Sequence, residues 1–263
     1  MNGLDMTHVT IGRARIPALG FGTFRMSEAE VAEVLPAALA QGFHHVDTAQ
    51  IYENEAAVGK AIERSCIARD EVFLTTKVWV GNFSPDRFQA SVENSLRKLK
   101  TDYVDLLLLH WPVASDVPRA TQIAELNRAR ERGLARHIGV SNYTISQMRE
   151  AVELSAAPLV TARDYGLSLT GYFSLADGKA AHDRVLAEIG FRHSKTAAQV
   201  ALRWLVQQEN VIALTKTATV SRLAENIALF DFVLSAEDMA AIHALSKPDG
   251  RIVSPEGLAP YWG

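Results

Sequence analysis

At 263 residues, with 48% hydrophobic and 22% charged side chains, the chain has the composition of an ordinary globular protein with a large core, which excludes extended disorder. A formal net charge of −3, without any dense Lys/Arg cluster, argues against a nucleic-acid or polybasic membrane surface. The lone cysteine, Cys66, leaves no intrachain disulfide and no multi-thiolate metal site, and MNGLDMTHVT carries no basic segment followed by an apolar run, so a cytoplasmic location is expected.

The leading THVTIGRARI reads as two short strands around a turn at Gly12, a hairpin placed to close the bottom of a barrel. Short apolar runs then recur: PALGFGT (17–23), HHVD (44–47), VFLTTK (72–77), VDLLLLH (104–110), ARHIGV (135–140), PLV (158–160), LSLTGY (167–172) and VIALTK (211–216). Most are followed by segments of helical period, among them EAEVAEVLPAALAQG, PDRFQASVENSLRKLK and TAAQVALRWLVQQ. Strand then helix, repeated, requires a parallel sheet. Eight such strands fit a closed (β/α)8 TIM barrel better than an open α/β sheet, because the run Gly20-Phe21-Gly22-Thr23 is not a dinucleotide fingerprint. VSRLAENIALF and SAEDMAAIHALS are helical by the same periodicity, and RIVSPEGLAPYWG is a loop-like tail. With no linker or low-complexity stretch, residues 1–263 read as a single barrel domain.

One unit breaks the rhythm. Only six residues separate Val160 from Leu167, whereas a parallel crossover needs about a dozen or more. Residues 162–166 read as the last turn of a helix closed by a glycine. The sixth β/α unit is therefore expected to be incomplete: a strand end, a loop and most of a helix are missing between Thr161 and Ala162, either deleted from the protein or unrecorded in its sequence.

In a parallel barrel, chemistry sits where the strands end. The second strand ends at Asp47, with Tyr52 five residues on; the third ends at Lys77, the fourth at His110, and the fifth just before Ser141 and Asn142. A buried lysine needs a partner, and Asp47 on the neighbouring strand supplies one. Such a pair can lower the pKa of a nearby phenol, so that Tyr52 acts as a general acid near neutral pH while His110 orients a substrate carbonyl. Taken singly, the lysine reads equally well as a structural ion pair and the tyrosine as core. Taken together, the four point to proton transfer at one mouth.

The segments GFGTFRM, HVDTAQIYENEAAVGKAI, FLTTKVW, DYVDLLLLHWP and IGVSNY, in this order and spacing, resemble the aldo-keto reductase superfamily, in particular its bacterial, diketogluconate-reductase-like members. The resemblance continues to about Asp249. It implies a catalytic tetrad of Asp47, Tyr52, Lys77 and His110, and an NADPH-dependent oxidoreductase that reduces an aldehyde or ketone to an alcohol. It also implies cofactor contacts from Gly22, Thr23 and Asp47, from Ser141 and Asn142 to the nicotinamide amide, from Tyr172 to the nicotinamide ring, and from Ser174 and Leu175 to the pyrophosphate. In LTKTATVSRLAEN, Lys216, Thr217 and Arg222 fall where the family clamps a 2′-phosphate, which favours NADPH over NADH, and Glu225 and Asn226 where it contacts adenine. Two departures stand out. Thr215 replaces a proline common among relatives, and the family's Asn-Gln pair, whose glutamine helps to fix the nicotinamide amide, is not written after Thr161.

Phe24, Trp79 and Trp111 neighbour the tetrad in sequence and form an expected apolar wall for a small-molecule carbonyl substrate. Two other readings compete. A metal-dependent barrel hydrolase could use His44, His45, Asp47 and His110, but strand alternation turns His44 away from the face shared by His45 and Asp47, so no metal site is expected. A non-catalytic nucleotide-binding protein on the same fold is the second. No membrane or nucleic-acid partner is expected, and a monomer is favoured although nothing in the sequence fixes the oligomeric state.

Overall fold

The computed structural model describes residues 7–160, 168–247 and 250–262. The chain opens on an antiparallel hairpin, β1 (His8–Ile11) and β2 (Ala14–Pro17), turned at Gly12 with φ 56°, a left-handed conformation that glycine adopts without steric cost. PALGFGT is not one strand. Pro17 completes β2, the Ala18 amide turns back to the Thr7 carbonyl, and β3 begins at Leu19 (Leu19–Gly22).

From β3 the chain winds as anticipated. Helices α1 (Glu28–Ala40), α2 (Glu55–Arg64), α3 (Pro85–Leu99), α4 (Arg119–Glu131) and α5 (Ile145–Leu154) follow, in turn, β3, β4 (His45–Asp47), β5 (Phe73–Val78), β6 (Val104–Leu109) and β7 (Ala135–Val140). Local chemistry sets their ends. Ser27 and Glu30 form a reciprocal capping box that starts α1, and Pro85 occupies the first turn of α3, where its missing N–H costs nothing. Phe88, Val92, Leu96 and Leu99 then recur at three- and four-residue spacing and bury one face of α3. After β8 (Leu169–Gly171) come α6 (Arg184–His193) and α7 (Ala197–Val206); α8 (Leu223–Ile227) and α9 (Ala236–His243) follow β9 (Val211–Thr215). Among the described residues, no helix is long and apolar enough to cross a membrane.

The seven strands from β3 to β9 form one parallel sheet in the order β7-β6-β5-β4-β3-β9-β8. Every residue of β6 and β9 is buried, as expected of strands packed on both faces. The sheet curls, and its edges meet through the sixth unit. PLV contributes no full strand: Leu159 makes a single parallel bridge to Ile138, Val160 N donates to Ile138 O (3.0 Å), and Ser168 N donates to Val160 O (3.0 Å) immediately before β8. An α/β barrel with an N-terminal hairpin results. The junction between Thr161 and Ala162, where a segment is expected to be missing, and the helix turn read over 162–166 lie outside the described residues. β8 nevertheless differs from its neighbour β9: none of its residues is buried, and Leu169 is 45% exposed.

At the opposite end of the strands, Asp105 near the start of β6 gathers two cations. Arg69 Nη1 reaches its Oδ2 at 3.0 Å, Arg136 Nη1 its Oδ1 at 3.1 Å, and the Leu74 amide donates to it at 3.0 Å. The two guanidinium groups lie 4.5 and 4.0 Å from the Tyr103 ring centroid. This knot ties β5, β6 and β7 together on the face away from the site.

Candidate active site

Register carries the four ionisable groups to one place. Asp47 closes β4, Lys77 stands one residue before the end of β5, His110 follows β6, and Tyr52 sits in a 3-10 turn (Gln50–Tyr52) between β4 and α2. Asp47 pairs in register with Thr75, so Lys77 rises two residues above it and its side chain can reach back. Its three donors are all directed: Nζ lies 2.6 Å from Asp47 Oδ1, 2.9 Å from Thr48 O and 3.5 Å from Tyr52 OH. The His110 ring meets that of Tyr52 edge-on with centroids 5.7 Å apart, and that of Trp79 at 5.5 Å. Phe24 packs on Tyr52 at 4.9 Å and Trp111 stacks on His110 at 6.3 Å.

Burial governs the protonation of these groups. Burial opposes charge on Lys77, yet the Asp47 carboxylate and Tyr52 more than offset it and hold the ammonium above the ordinary lysine range. Burial raises Asp47, and Lys77 opposes the rise. A contact of 2.6 Å in a dry setting favours the ionised pair at neutral pH. Tyr52 departs from the sequence expectation. Burial pushes its phenol up, and the pull of Lys77 at 3.5 Å does not cancel the desolvation, so the hydroxyl stays protonated rather than approaching neutral pKa. His110 is driven down to about 2, first by burial and then by Lys77, and is a neutral imidazole at every working pH. His45, one turn of the pleat below Asp47, is likewise held at about 4 by burial and bonds Thr75 Oγ1 at 3.2 Å.

A cleft of about 2030 Å³ opens above this group. Asp47, Tyr52, Lys77 and His110 line it together with Phe24, Trp79, Trp111, Ser141, Asn142 and Tyr172, so the expected apolar wall and the β7 and β8 ends converge with the tetrad. Asn142 has a left-handed backbone (φ 64°), which asparagine tolerates better than most residues. Its amide donates to His110 O (2.9 Å) and to Ser141 Oγ (3.1 Å), and its Oδ1 accepts from Tyr172 OH. The side chain expected to meet a carboxamide is thus already oriented by three neighbours.

The remaining expected contacts are less convergent. Thr23 is buried, with its hydroxyl against Asp47 O (3.2 Å) and Asn54 Oδ1 (3.3 Å), and Gly22 pairs with Asp47 inside the sheet. Ser174 Oγ lies within bonding distance of Leu214 O (2.8 Å) and Gly171 O (3.1 Å), and Leu175 packs against the core. Lys216 is exposed just past β9 and reaches Arg25 O at 3.3 Å; Thr217 bonds Thr219, and Arg222 is exposed at the end of a 3-10 turn (Val220–Arg222). Glu225 accepts from Thr196 Oγ1 (2.7 Å), and Asn226 is buried. None of these from Ser174 onward lines the cleft, although all lie beyond the C-terminal ends of β8 and β9.

Asn54 was not anticipated. Fully buried, it donates to Thr23 O (2.9 Å) and Met26 O (3.0 Å) and accepts from Thr48 Oγ1 (3.1 Å), so it joins the loop after β3 to the loop after β4. Arg251 and Trp262 of the tail, stacked at 3.7 Å, also line the cleft.

Known proteins match this architecture. The model of the Aldo/keto reductase family matches residues 18–167 and 176–247. Methylglyoxal reductase DkgB of Yersinia pestis is 42% identical over 266 residues, taking in 94% of this chain and 99% of the relative. Glyoxal reductase of Bacillus subtilis is 36% identical over 261 residues, with 92% and 94% covered. A crystal structure assigned provisionally as a 2,5-diketo-D-gluconic acid reductase B superposes with a TM-score of 0.95 at 57% identity, covering 99% of this chain and 98% of the other. A barrel of this topology, with these strand ends and this extent of match, places the chain in the aldo/keto reductase family.

Proposed function

We propose that the protein is an NADPH-dependent carbonyl reductase with Asp47, Tyr52, Lys77 and His110 as its catalytic group and small reactive aldehydes or ketones as its substrates. The observation that carries this reading is the Tyr52 hydroxyl standing 3.5 Å from a paired, buried ammonium and beside a neutral imidazole on the floor of one cleft. The names of the methylglyoxal and glyoxal reductases above point to a small dicarbonyl as the first compound to try.

The residues present fit a nicotinamide dinucleotide. The cleft is large and open, Tyr172 lines it at 40% exposure, and the Asn142 amide faces it already oriented. Lys216 and Arg222 provide exposed cations past β9, which suits a 2′-phosphate. The bound dinucleotide would supply a hydride; the chain's own residues handle the rest. His110, uncharged, donates an N–H to the carbonyl oxygen and fixes its direction. Tyr52 then gives its proton to that oxygen as negative charge develops. Its raised pKa keeps the proton available beforehand, and Lys77 stabilises the phenolate left behind. Asp47 and Thr48 O hold the ammonium in place. Phe24, Trp79 and Trp111 exclude water from the reacting carbon.

Loss of absorbance at 340 nm with NADPH and methylglyoxal tests the proposal. Tyr52→Phe is expected to cut turnover by about 10²- to 10⁴-fold, the usual range for a positioned acid, with NADPH binding retained. Lys216→Ala is expected to weaken NADPH more than NADH. Wild-type turnover in Tyr52→Phe, or tight NADPH binding with no turnover across an aldehyde panel, would overturn it.

A further inference from the structure

Two walls of the site, the Tyr52 turn and the Trp79 strand end, hang from a single side chain that neither the tetrad nor the cofactor contacts include. Gln50 opens the 3-10 turn that carries Tyr52. Its Oε1 accepts from Trp79 N (2.8 Å) and from Asn82 Nδ2 (2.9 Å). Its Nε2 donates to Ser91 Oγ (3.2 Å) and Ser95 Oγ (3.2 Å), which stand four residues apart on one face of α3. A carboxamide has two donors and two acceptor lone pairs, and here all four are engaged, so its orientation is fully determined. Ser95 continues the chain of bonds to Glu55 Oε2 (3.2 Å), and Glu55 Oε1 accepts from Thr76 Oγ1 (2.7 Å), the residue before Lys77. Glu55 and Ser95 are each 1% exposed, so the inner end of the network is dry, while Gln50, Asn82 and Ser91 are half-buried beside a small cavity.

The His110 ring touches both walls, Tyr52 at 5.7 Å and Trp79 at 5.5 Å. The distance from Tyr52 to Lys77 is already at the outer limit of a hydrogen bond, 3.5 Å. A small drift of the turn would therefore break it. From this we infer that Gln50 is a positioning residue: it fixes the general acid and the Trp79 wall relative to each other by anchoring both to α3. The inference rests on the Tyr52 reading given above. It adds that the placement of Tyr52 is set by a side chain two residues away that does not touch substrate.

Gln50→Ala is expected to lower kcat about 10- to 100-fold, the scale of a displacement near 1 Å in a reacting group, while KM for methylglyoxal and the Kd of NADPH, read by fluorescence quenching, stay within about threefold. In a double-mutant cycle the penalty should nearly vanish on the Tyr52→Phe background, because there is no proton donor left to place. An equal penalty on both backgrounds overturns the inference, as does an unchanged kcat with a lowered melting temperature. Should Gln50→Ala fail to fold, Asn82→Ala and Ser91→Ala each remove one of the four bonds; a kcat loss of several-fold in these folded variants supports the anchor and wild-type kcat overturns it. Failure of the Tyr52 reading itself is separate, since it shows as wild-type turnover in Tyr52→Phe alone.

Discussion

Replacing Lys77 by methionine isolates the electrostatics of the site from its chemistry. The substitution keeps most of the buried stem and removes the ammonium, leaving the Asp47 carboxylate, 5% exposed at its side chain, without a counter-charge. Removing one member of a buried pair costs about 3 to 5 kcal/mol, most of it from the stranded charge. For a chain of this size that corresponds to a melting temperature lower by roughly 6 to 20 °C at pH 8. Asp47 has a way out of the penalty. Burial already raises its pKa, and with Lys77 gone nothing opposes the rise. A group whose folded pKa exceeds its unfolded value contributes stability that is complete below the unfolded value, about 3.9 for an aspartate, and is lost as pH climbs through the folded value. Lys77→Met should therefore recover stability on acidification from pH 8 to about pH 5, relative to the wild type measured in parallel. The wild type carries a signature of the same sign at the alkaline end: the raised Lys77 pKa contributes stability present in full below the ordinary lysine value and lost as pH climbs through the raised one. Differential scanning calorimetry of both proteins across this range is the assay. A deficit in Lys77→Met that is the same at pH 5 and pH 8 would refute the premise that Asp47 is held as a buried charge.

Other consequences are open to simpler measurements. A Cβ on Gly20 would stand 2.6 Å from Leu214 Cδ2 and 2.7 Å from His45 Nδ1 inside the barrel, so Gly20→Ala should destabilise by about 1 to 3 kcal/mol; an unaltered urea midpoint would contradict that crowding. Asp105→Asn removes the charge that Arg69 and Arg136 share at the far end of the strands, and should cost about 2 to 3 kcal/mol by urea titration while leaving kcat at 25 °C unchanged, because nothing near Asp105 lines the cleft. His110 stays neutral down to about 2, so the profile of kcat/KM should show no acid limb belonging to it; a limb near an ordinary histidine pKa that disappears in His110→Asn would count against the neutral imidazole.

The parts of this site visible in the sequence share one property: each stands at or just past the end of a strand. In a parallel barrel, strand ends on one face are neighbours whatever their separation in sequence, so Asp47, Lys77 and His110 could be brought together on paper from the apolar runs that precede them. Phe24, Trp79, Trp111, Ser141 and Asn142 follow by the same rule, and the cleft collects them. The rule is weaker for the β9 end. Lys216, Thr217 and Arg222 lie on the correct face, yet the side chains spread over a turn and a short helix and do not converge on the cleft, because nothing in a strand end dictates how far a following turn folds inward.

Gln50 and Asn54 were hidden for a different reason. Their partners are Trp79, Asn82, Ser91 and Ser95 in the one case and Thr23, Met26 and Thr48 in the other, mostly far off in sequence and mostly backbone or hydroxyl groups with no pattern of their own. A polar residue in a loop reads as solvated until the fold wraps another element over it. The Tyr52 phenol failed in the same way: the sequence displays the nearby lysine but not the water removed by Phe24 and His110, and the removal of water decides the direction of the shift. The correction alters the chemical demand on the site. A tyrosine with a lowered pKa would be partly ionised before substrate arrives and would have to recover a proton. On the proposed mechanism, one held above its usual value is always loaded, and the burden passes to the Lys77 ammonium, which must stabilise the phenolate at the moment it forms, while Asp47 keeps that ammonium charged and in place. Preorganising that pair is what the Lys77 contacts to Asp47 and Thr48 O accomplish, and it explains why a surrounding lattice of uncharged hydrogen bonds, from Asn54 on one side and Gln50 on the other, fixes the turns that carry these groups.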